Sequence, residues 1–435
     1  MSRQYSLLIG FVSIVLIGAV VLMSPWMRTE GTWGNFNTAL FMACSATSVT
    51  GLTLVDVAQE WNLLGRAFFL LLVQIGGLGL MTLTTFMLVA VGRRLSLSRE
   101  FSLMNAYGIE QVHGLRGLIF WTVGSTFVIE GIGAIILSWR LGSVYDGIFY
   151  SIVSFCNAGF ALKPDSITSY AGDSWFVLTM AFEIIAGGIG FLVIYNLFTF
   201  RFRRREGVRG RISLHTQVVL RMTFWTLLVM ICAFLILEWN GALGEYSPLR
   251  KLLVAFFYGV TPRTAGFTII PIENVHPFTR FLTEVEMFIG GAPGSTAGGL
   301  KVTTMAVLIY TITALCRGDR DTVITRKLIP VDTVRESLVI LSALLLTFLL
   351  IMGALLLTDG RTIPVENLVF ECISSLTTTG LSLADTTERM SVSGRYVLMV
   401  SMTIGRLGAL AVVMMIGNRE TNSHVRFPVE ELVVG

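Results

Sequence analysis

Thr50-Gly51-Leu52, Ala158-Gly159-Phe160, Ala265-Gly266-Phe267 and Thr379-Gly380-Leu381 are copies of one short motif spread along the chain. Behind them stand Gly76-Gly77-Leu78-Gly79, Gly187-Gly188-Ile189-Gly190, Gly290-Gly291-Ala292-Pro293 and Gly405-Arg406-Leu407-Gly408. Within each pair the first glycines lie 25, 28, 24 and 25 residues apart. A spacing held this closely along a whole chain marks an internal repeat. Each motif is preceded by an apolar stretch and then a shorter amphipathic one, roughly 35–47, 146–155, 248–258 and 364–376. Segments of ~10–14 residues are too short to cross a bilayer and have the length of a re-entrant helix. A polar linker then leads to a second apolar stretch, at 63–91, 175–200, 281–315 and 396–416.

Composition supports a lipid-facing protein. The chain has 435 residues, 54% of them hydrophobic and 14% charged, against ~25% charged in soluble domains. So little charge cannot cover a water-exposed surface. Stretches 5–23, 117–139, 218–237 and 337–357 approach or exceed the ~20 residues of a membrane span. The first is longer than a signal-peptide core and meets no small-x-small site before Pro25, so it reads as a membrane helix.

The basic residues fall between repeats: Arg93, Arg94 and Arg99; then Arg201, Arg203, Arg204, Arg205, Arg209 and Arg211; then Arg317, Arg320, Arg326 and Lys327. By the positive-inside rule these loops are cytoplasmic. A helix in, a half-helix and loop, and a helix back return the chain to one side, which agrees with that bias. The expected fold is an all-α polytopic membrane protein of eight spanning helices and four re-entrant helices around a central pore. Its repeats cover 1–92, 116–200, 215–315 (with a broken second helix) and 333–417, followed by a cytoplasmic tail at 418–435. The net charge of +4 gives no case for nucleic acid, and the five cysteines show no paired spacing for disulfides or a metal.

Irregular backbone at membrane depth is tolerated only where protein buries it or where it lines a watery cavity. A cation in a narrow pore exchanges its water shell for other oxygens, which backbone carbonyls supply. Glycine adopts the left-handed conformations that aim carbonyls at an axis without a side-chain clash. Gly51, Gly159, Gly266 and Gly380 therefore read as a selectivity filter, against four plain turns at helix ends. Asp56, Asp165, Glu273 and Asp385 follow within a few residues; a negative ring at the outer mouth and local capping explain them equally well.

Arg406 lies inside an apolar helix, where a lone charge is costly. It replaces Gly77, Gly188 and Gly291 of the other repeats, whose bare backbones leave room for a guanidinium. It reads as a barrier below the filter, with a structural arginine among carbonyls as the alternative. Gly290-Gly291-Ala292-Pro293-Gly294-Ser295-Thr296-Ala297-Gly298-Gly299 breaks the helix beside it and reads as a gate. Lys301 follows, but no Gly-Lys-Ser/Thr arrangement makes this a phosphate loop. Glu183 and Glu286 share a register before their glycine pairs and read as braces of the filter loops, or as proton-relay groups; Glu130 and Glu371 carry the same two readings.

The chain resembles the Trk/Ktr/HKT superfamily of potassium transporters over nearly its whole length. The resemblance rests on Ser48-Val49-Thr50-Gly51-Leu52, Asn157-Ala158-Gly159-Phe160, Arg263-Thr264-Ala265-Gly266-Phe267 and Thr378-Thr379-Gly380-Leu381. The break Gly294 to Lys301 and the segment Ile404-Gly405-Arg406-Leu407-Gly408 add to it. It is most like the bacterial Ktr membrane subunit. The resemblance implies a homodimer in the bacterial inner membrane with both termini cytoplasmic. It implies a cytoplasmic ring of nucleotide-binding (RCK/KTN) regulatory subunits, and a joint gating role for the loop and Arg406. The tail Phe427-Pro428-Val429-Glu430-Glu431 resembles one packed in a dimer interface. Cys156 stands where relatives often carry a polar residue.

The expected activity is potassium uptake through a channel-like pore, with potassium as the only ion bound and no cofactor; stimulation by sodium is left open. The competing reading is a proton- or sodium-coupled secondary transporter. Those usually show inverted repeats, whereas these repeats are parallel and only one helix is read as broken. No nucleophile, metal or acid–base constellation supports an enzyme.

Overall fold

The structure, a computed structural model, describes residues 3–79, 115–205 and 212–408. Arg93, Arg94, Arg99, Arg209, Arg211 and the tail 418–435 lie outside the described residues. Phe120–Leu141, Leu214–Glu238 and Val331–Asp359 are long and apolar enough to cross a membrane. Their outward faces carry exposed Phe127, Ile135, Ile236 and Leu350. Water would penalise so much contiguous apolar surface, and lipid does not. Shorter apolar helices, among them Leu8–Leu22, Leu63–Leu78 and Val302–Cys316, complete the membrane body.

The elements run four times through one series of long helix, short helix, motif and second helix. The series are Arg3–Leu22, Phe36–Ser48 and Leu63–Leu78; then Leu115–Leu141, Val144–Phe155 and Ser174–Gly188. Leu214–Glu238, Pro248–Val260 and Pro277–Phe288 follow, and then Val331–Asp359, Val365–Leu376 and Val392–Leu407. The second helices all start at a side-chain cap. Asn62 accepts from Gly65 N–H, Asp173 from Phe176, His276 from Phe278 and Ser391 from Gly394. Each cap satisfies a backbone donor that the first helical turn leaves free, worth ~1 kcal/mol. The four short helices form the buried centre, with Phe41, Phe149, Phe257 and Phe370 fully enclosed.

One expectation needs correction. The second helix is interrupted in more than the third repeat: Ser174–Gly188 and Phe191–Phe200 meet at a 94° bend. Leu63–Leu78 and Val392–Leu407 also end one residue past Gly76-Gly77 and Gly405-Arg406. The physical cause is shared. Gly79, Gly190 and Gly408 have φ of 78°, 88° and 89°, a backbone that cannot continue a right-handed helix. Apolar residues on both sides hide this break from a reading of hydropathy. The described residues form an all-helical body apart from one small hairpin. Val323–Ile324 pairs antiparallel with Lys327–Leu328, and Thr325 and Arg326 turn the hairpin with φ of 49° and 62°. Positive φ at both central residues is the tight hairpin geometry that matches strand twist.

Candidate functional site

Each short helix ends in the same backbone signature. Two residues before the motif glycine stands a left-handed residue that is not glycine: Val49 (φ 56°), Asn157 (57°), Thr264 (64°) and Thr378 (53°). The glycines themselves have φ of 98°, 68°, 76° and 91°, and Thr50, Ala158, Ala265 and Thr379 between them do not share the positive φ. Alternating handedness aims successive peptide groups alike, as a narrow carbonyl lining requires.

The four glycines sit edge to edge in chain order. A Cβ on Gly51 would lie 2.5 Å from Ala158 O, and one on Gly159 would lie 3.0 Å from Ala265 O. One on Gly266 would press into Thr379 O, and one on Gly380 into Thr50 O, which closes the ring. Gly51, Gly159, Gly266 and Gly380 are thus fixed twice, by φ and by the neighbouring backbone.

Hydrogen bonds hold the ring to its short helices. Thr50 N–H donates to Ser45 O (2.9 Å), Ala158 to Val153 O (2.8 Å), Ala265 to Thr261 O (3.0 Å) and Thr379 to Ser374 O (2.8 Å). Beyond this backbone pattern the ring divides. Ser45 Oγ accepts from Gly51 N–H at 3.2 Å, and Ser374 Oγ from Gly380 N–H at 3.1 Å. Hydroxyl pairs Ser48–Thr50 (2.7 Å) and Thr377–Thr379 (2.8 Å) flank them. The matching positions of the other two repeats hold Val153, Cys156 and Ala158, and Val260, Arg263 and Ala265. Cys156 Sγ lies 3.9 Å from Glu130 Oε1, whose carboxylate accepts from Gln74 Nε2 at 3.0 Å. Arg263 Nη2 donates to Thr223 Oγ1 at 3.1 Å. Ser45, Ser374 and Gln74 are contributors that the motif reading passed over.

Directly below the ring lies the loop between Phe288 and Val302. Its ends pair, with Gly290 N–H on Leu300 O and Leu300 N–H on Phe288 O, both at 3.0 Å. Its middle reaches three repeats. Ala292 N–H donates to Gly188 O (2.9 Å) and Phe191 N–H to Gly294 O (3.1 Å). Thr296 Oγ1 donates to Phe155 O (3.2 Å), and Gly298 N–H to Thr264 Oγ1 (3.3 Å). A Cβ on Gly298 would collide with Thr377 O and Thr378 Oγ1 in the fourth repeat. Ser295 Oγ donates to Ala292 O at 2.6 Å, tightening the turn after Pro293.

Arg406 joins this loop to the first repeat. Its Nη1 donates to Thr296 O at 2.6 Å, and its Nη2 donates to Gly76 O. Lys301 Nζ donates to Ala297 O at 2.7 Å. Consecutive carbonyls of the loop are therefore each held by a cation. The room expected at Gly77 is real but filled otherwise: a Cβ there would meet Cys156 Sγ. Gly76, Gly187 and Gly405 instead let the second helices press on the short-helix ends at Thr47 O, Phe155 O and Leu376 O.

Asp56 and Asp165 are occupied locally, whereas Glu273 reaches across to the fourth repeat. Asp56 accepts from Ala58 N–H (2.8 Å), Asp165 from Ser169 N–H (3.0 Å) and Glu273 from Ala384 N–H (2.5 Å). Asp385 is itself in the left-handed conformation, before the short helix Thr386–Arg389. Glu183 accepts from Ser151 Oγ (2.5 Å), so it touches a short helix rather than a motif loop. Glu286 lies near Thr226 and near Arg263, the residue that precedes the left-handed Thr264.

The family model for the TrkH cation transport proteins matches residues 20–419. The chain is 35% identical to the Ktr system potassium uptake protein B of Bacillus subtilis, over 99% of this chain and 96% of that protein. It is 33% identical to the potassium/sodium uptake protein NtpJ of Enterococcus hirae, over 98% of this chain and 96% of that one. Among solved structures, the potassium transporter TrkH from Vibrio parahaemolyticus superposes with a TM-score of 0.76 at 19% identity, covering 96% of this chain and 85% of that chain. Sequence family and overall fold agree, and they describe transporters rather than enzymes: the chain is a multi-pass membrane protein and belongs to the TrkH cation transport family.

Proposed function

We propose that this protein takes up potassium ions across the bacterial inner membrane. In this reading four helix–loop–helix repeats (1–92, 116–200, 215–315 and 333–417) cross the membrane eight times around one pore. The observation that carries it is the closed ring in which each motif glycine abuts a carbonyl-bearing residue of the next repeat. The names of the relatives support potassium as the cargo, and that of the Enterococcus protein keeps sodium in view.

The mechanism follows from the two levels. At the ring, carbonyls of Val49, Thr50, Asn157, Ala158, Thr264, Ala265, Thr378 and Thr379 replace the water shell of the dehydrating cation. The short helices direct their C-terminal, partly negative ends toward it. One glycine per repeat makes a short filter. Below it, the loop from Gly290 to Lys301 closes the path, and Arg406 holds it shut through Thr296 O. Arg406 also places positive charge on the exit route, which opposes a cation. Opening requires that hydrogen bond to break.

A homodimer docked on a ring of nucleotide-binding regulatory subunits fits the Ktr relatives. In this chain the basic hairpin region, with Arg317, Arg320, Arg326 and Lys327, supplies a cytoplasmic docking face. Coupled transport is the weaker reading, because Glu183 is bonded to Ser151 of a short helix and Glu286 faces Arg263 beside the third motif, contacts that suit braces of the filter loops.

Growth of a potassium-uptake-deficient bacterium at low potassium tests the proposal. The chain, co-expressed with a regulatory subunit, restores growth, while Gly380→Ala does not. Wild-type protein present in the membrane without rescue overturns the reading. Uptake that depends steeply on external pH and is abolished by Glu183→Gln would favour coupled transport.

A further inference from the structure

Beyond the ring, a second set of positions repeats with no shared residue type. Nine residues before each motif glycine stand Met42, Tyr150, Phe257 and Glu371, on the inner faces of the short helices. Three residues after each glycine stand Leu54, Leu162, Ile269 and Leu383. The two sets meet. Leu54 N–H points at Met42 Sδ (3.4 Å), Leu162 N–H donates to Tyr150 Oη (3.2 Å), and Leu383 N–H donates to Glu371 Oε1 (3.4 Å). Phe257 has no acceptor to offer. In that repeat the preceding amide, Thr268 N–H, is taken at 3.1 Å by Ser166 Oγ, from the loop of the second repeat.

We infer that these contacts are the outer brace of the filter, and that Glu371 is its principal positioning residue. The chain leaving each glycine must be held where the dehydrating cation enters, or the carbonyls before it drift. The acceptors differ in strength: a thioether is weak, a phenol oxygen ordinary and a carboxylate strong. Glu371 is fully enclosed and gathers three donors on that outgoing chain. Ser382 Oγ and Leu383 N–H donate to Oε1, and Thr387 Oγ1 donates to Oε2 at 2.8 Å. A buried carboxylate is expensive unless hydrogen-bonded, and here its partners are the residues that follow Gly380. The fourth repeat is thus pinned hardest, the second moderately and the first weakly, while the third is held by its neighbour.

This inference rests on the filter reading, and the experiment separates the two. Full-length protein in liposomes is assayed for potassium flux, for the half-saturating potassium concentration and for the potassium-to-sodium flux ratio. Glu371→Ala is expected to lower that ratio about tenfold, the loss of ~1.4 kcal/mol of discrimination. Tyr150→Phe lowers it about threefold, in line with the loss of one neutral hydrogen bond. Met42→Leu leaves it unchanged, and Glu371→Gln, which keeps an acceptor oxygen, restores part of the loss. Equal ratios in wild type and in a folded Glu371→Ala with an unchanged melting temperature overturn the brace, as does an equal fall in Met42→Leu. If Glu371→Ala does not fold, Ser382→Ala and Tyr150→Phe decide on the same ratio: a fall supports the brace and no change overturns it. Wild-type protein without cation selectivity contradicts the filter reading itself.

Discussion

The two halves of the glycine ring are built alike in backbone and differently in side chain. In the first and fourth repeats, hydroxyls surround the motif: Ser45, Ser48 and Thr50, and Ser374, Thr377 and Thr379. In the second and third, Val153 and Val260, Cys156 and Arg263, and Ala158 and Ala265 take their places. Yet the four left-handed residues and the four glycines keep one conformation within a narrow range of φ. Backbone geometry is therefore the shared requirement, and side chains are the means, chosen locally, of holding it. Where hydroxyls are missing, the repeat leans on other elements, through Glu130 and Gln74 in one case and Thr223 in the other.

The comparison can be broken at the ring first. Gly380→Ala drives a Cβ into Thr50 O, whereas on Gly159 the nearest carbonyl is 3.0 Å away. Uptake should be lost in Gly380→Ala, by about two orders of magnitude. It should be retained in larger measure by Gly159→Ala, in which a φ of 68° adds conformational strain of ~1–3 kcal/mol to backbone contacts of 3.0–3.3 Å that are tight but milder than at Gly380. Equal losses, measured as initial potassium uptake at matched expression, would deny the ring its uneven joints.

A smaller effect is expected one level below, where symmetry ends. Arg406→Ala removes the donors to Thr296 O and Gly76 O. A charged hydrogen bond contributes about 1.5–3 kcal/mol, so the latched loop should open more often and unstimulated flux should rise about tenfold. A rate equal to or below wild type, at equal expression in liposomes, would show that Arg406 is not a barrier.

The smallest effect sharpens the contrast between halves. Ser45→Ala and Ser374→Ala each remove one bond to a motif amide, worth ~1 kcal/mol. Each should shift the half-saturating potassium concentration a few-fold and leave maximal flux near wild type. Val153→Ala, at the matching position of the second repeat, should move that concentration less than either serine variant.

Much of this was legible in the sequence because the constraint is on glycine. A backbone that must take positive φ beside another backbone tolerates little else, so Gly51, Gly159, Gly266 and Gly380 announce the ring. The left-handed Val49, Thr264 and Thr378 were named only by their place beside those glycines, since β-branched residues rarely adopt this conformation. Gly190 was in plain view, yet the apolar run through Phe191 concealed the 94° bend. Of the outer brace only Glu371 stood out in the sequence, as an acid that could brace or relay, and the rest was hidden for a different reason. The brace is a geometric relation, filled by a thioether, a phenol and a carboxylate, and no residue pattern repeats. The acidic positions were open to two readings, since local capping uses the same residue types as a charged mouth, and Asp56 and Asp165 do cap backbone amides nearby.

The central claim is that the glycine ring selects the cation. The most direct measurement is the potassium-to-sodium flux ratio of Gly51→Ser against wild type in liposomes. A Cβ at Gly51 meets Ala158 O at 2.5 Å and must open the ring on that side. The account predicts a wild-type preference for potassium that falls by about tenfold or more in the variant, with sodium flux preserved or raised. An unchanged ratio in a folded, conducting Gly51→Ser protein would contradict it.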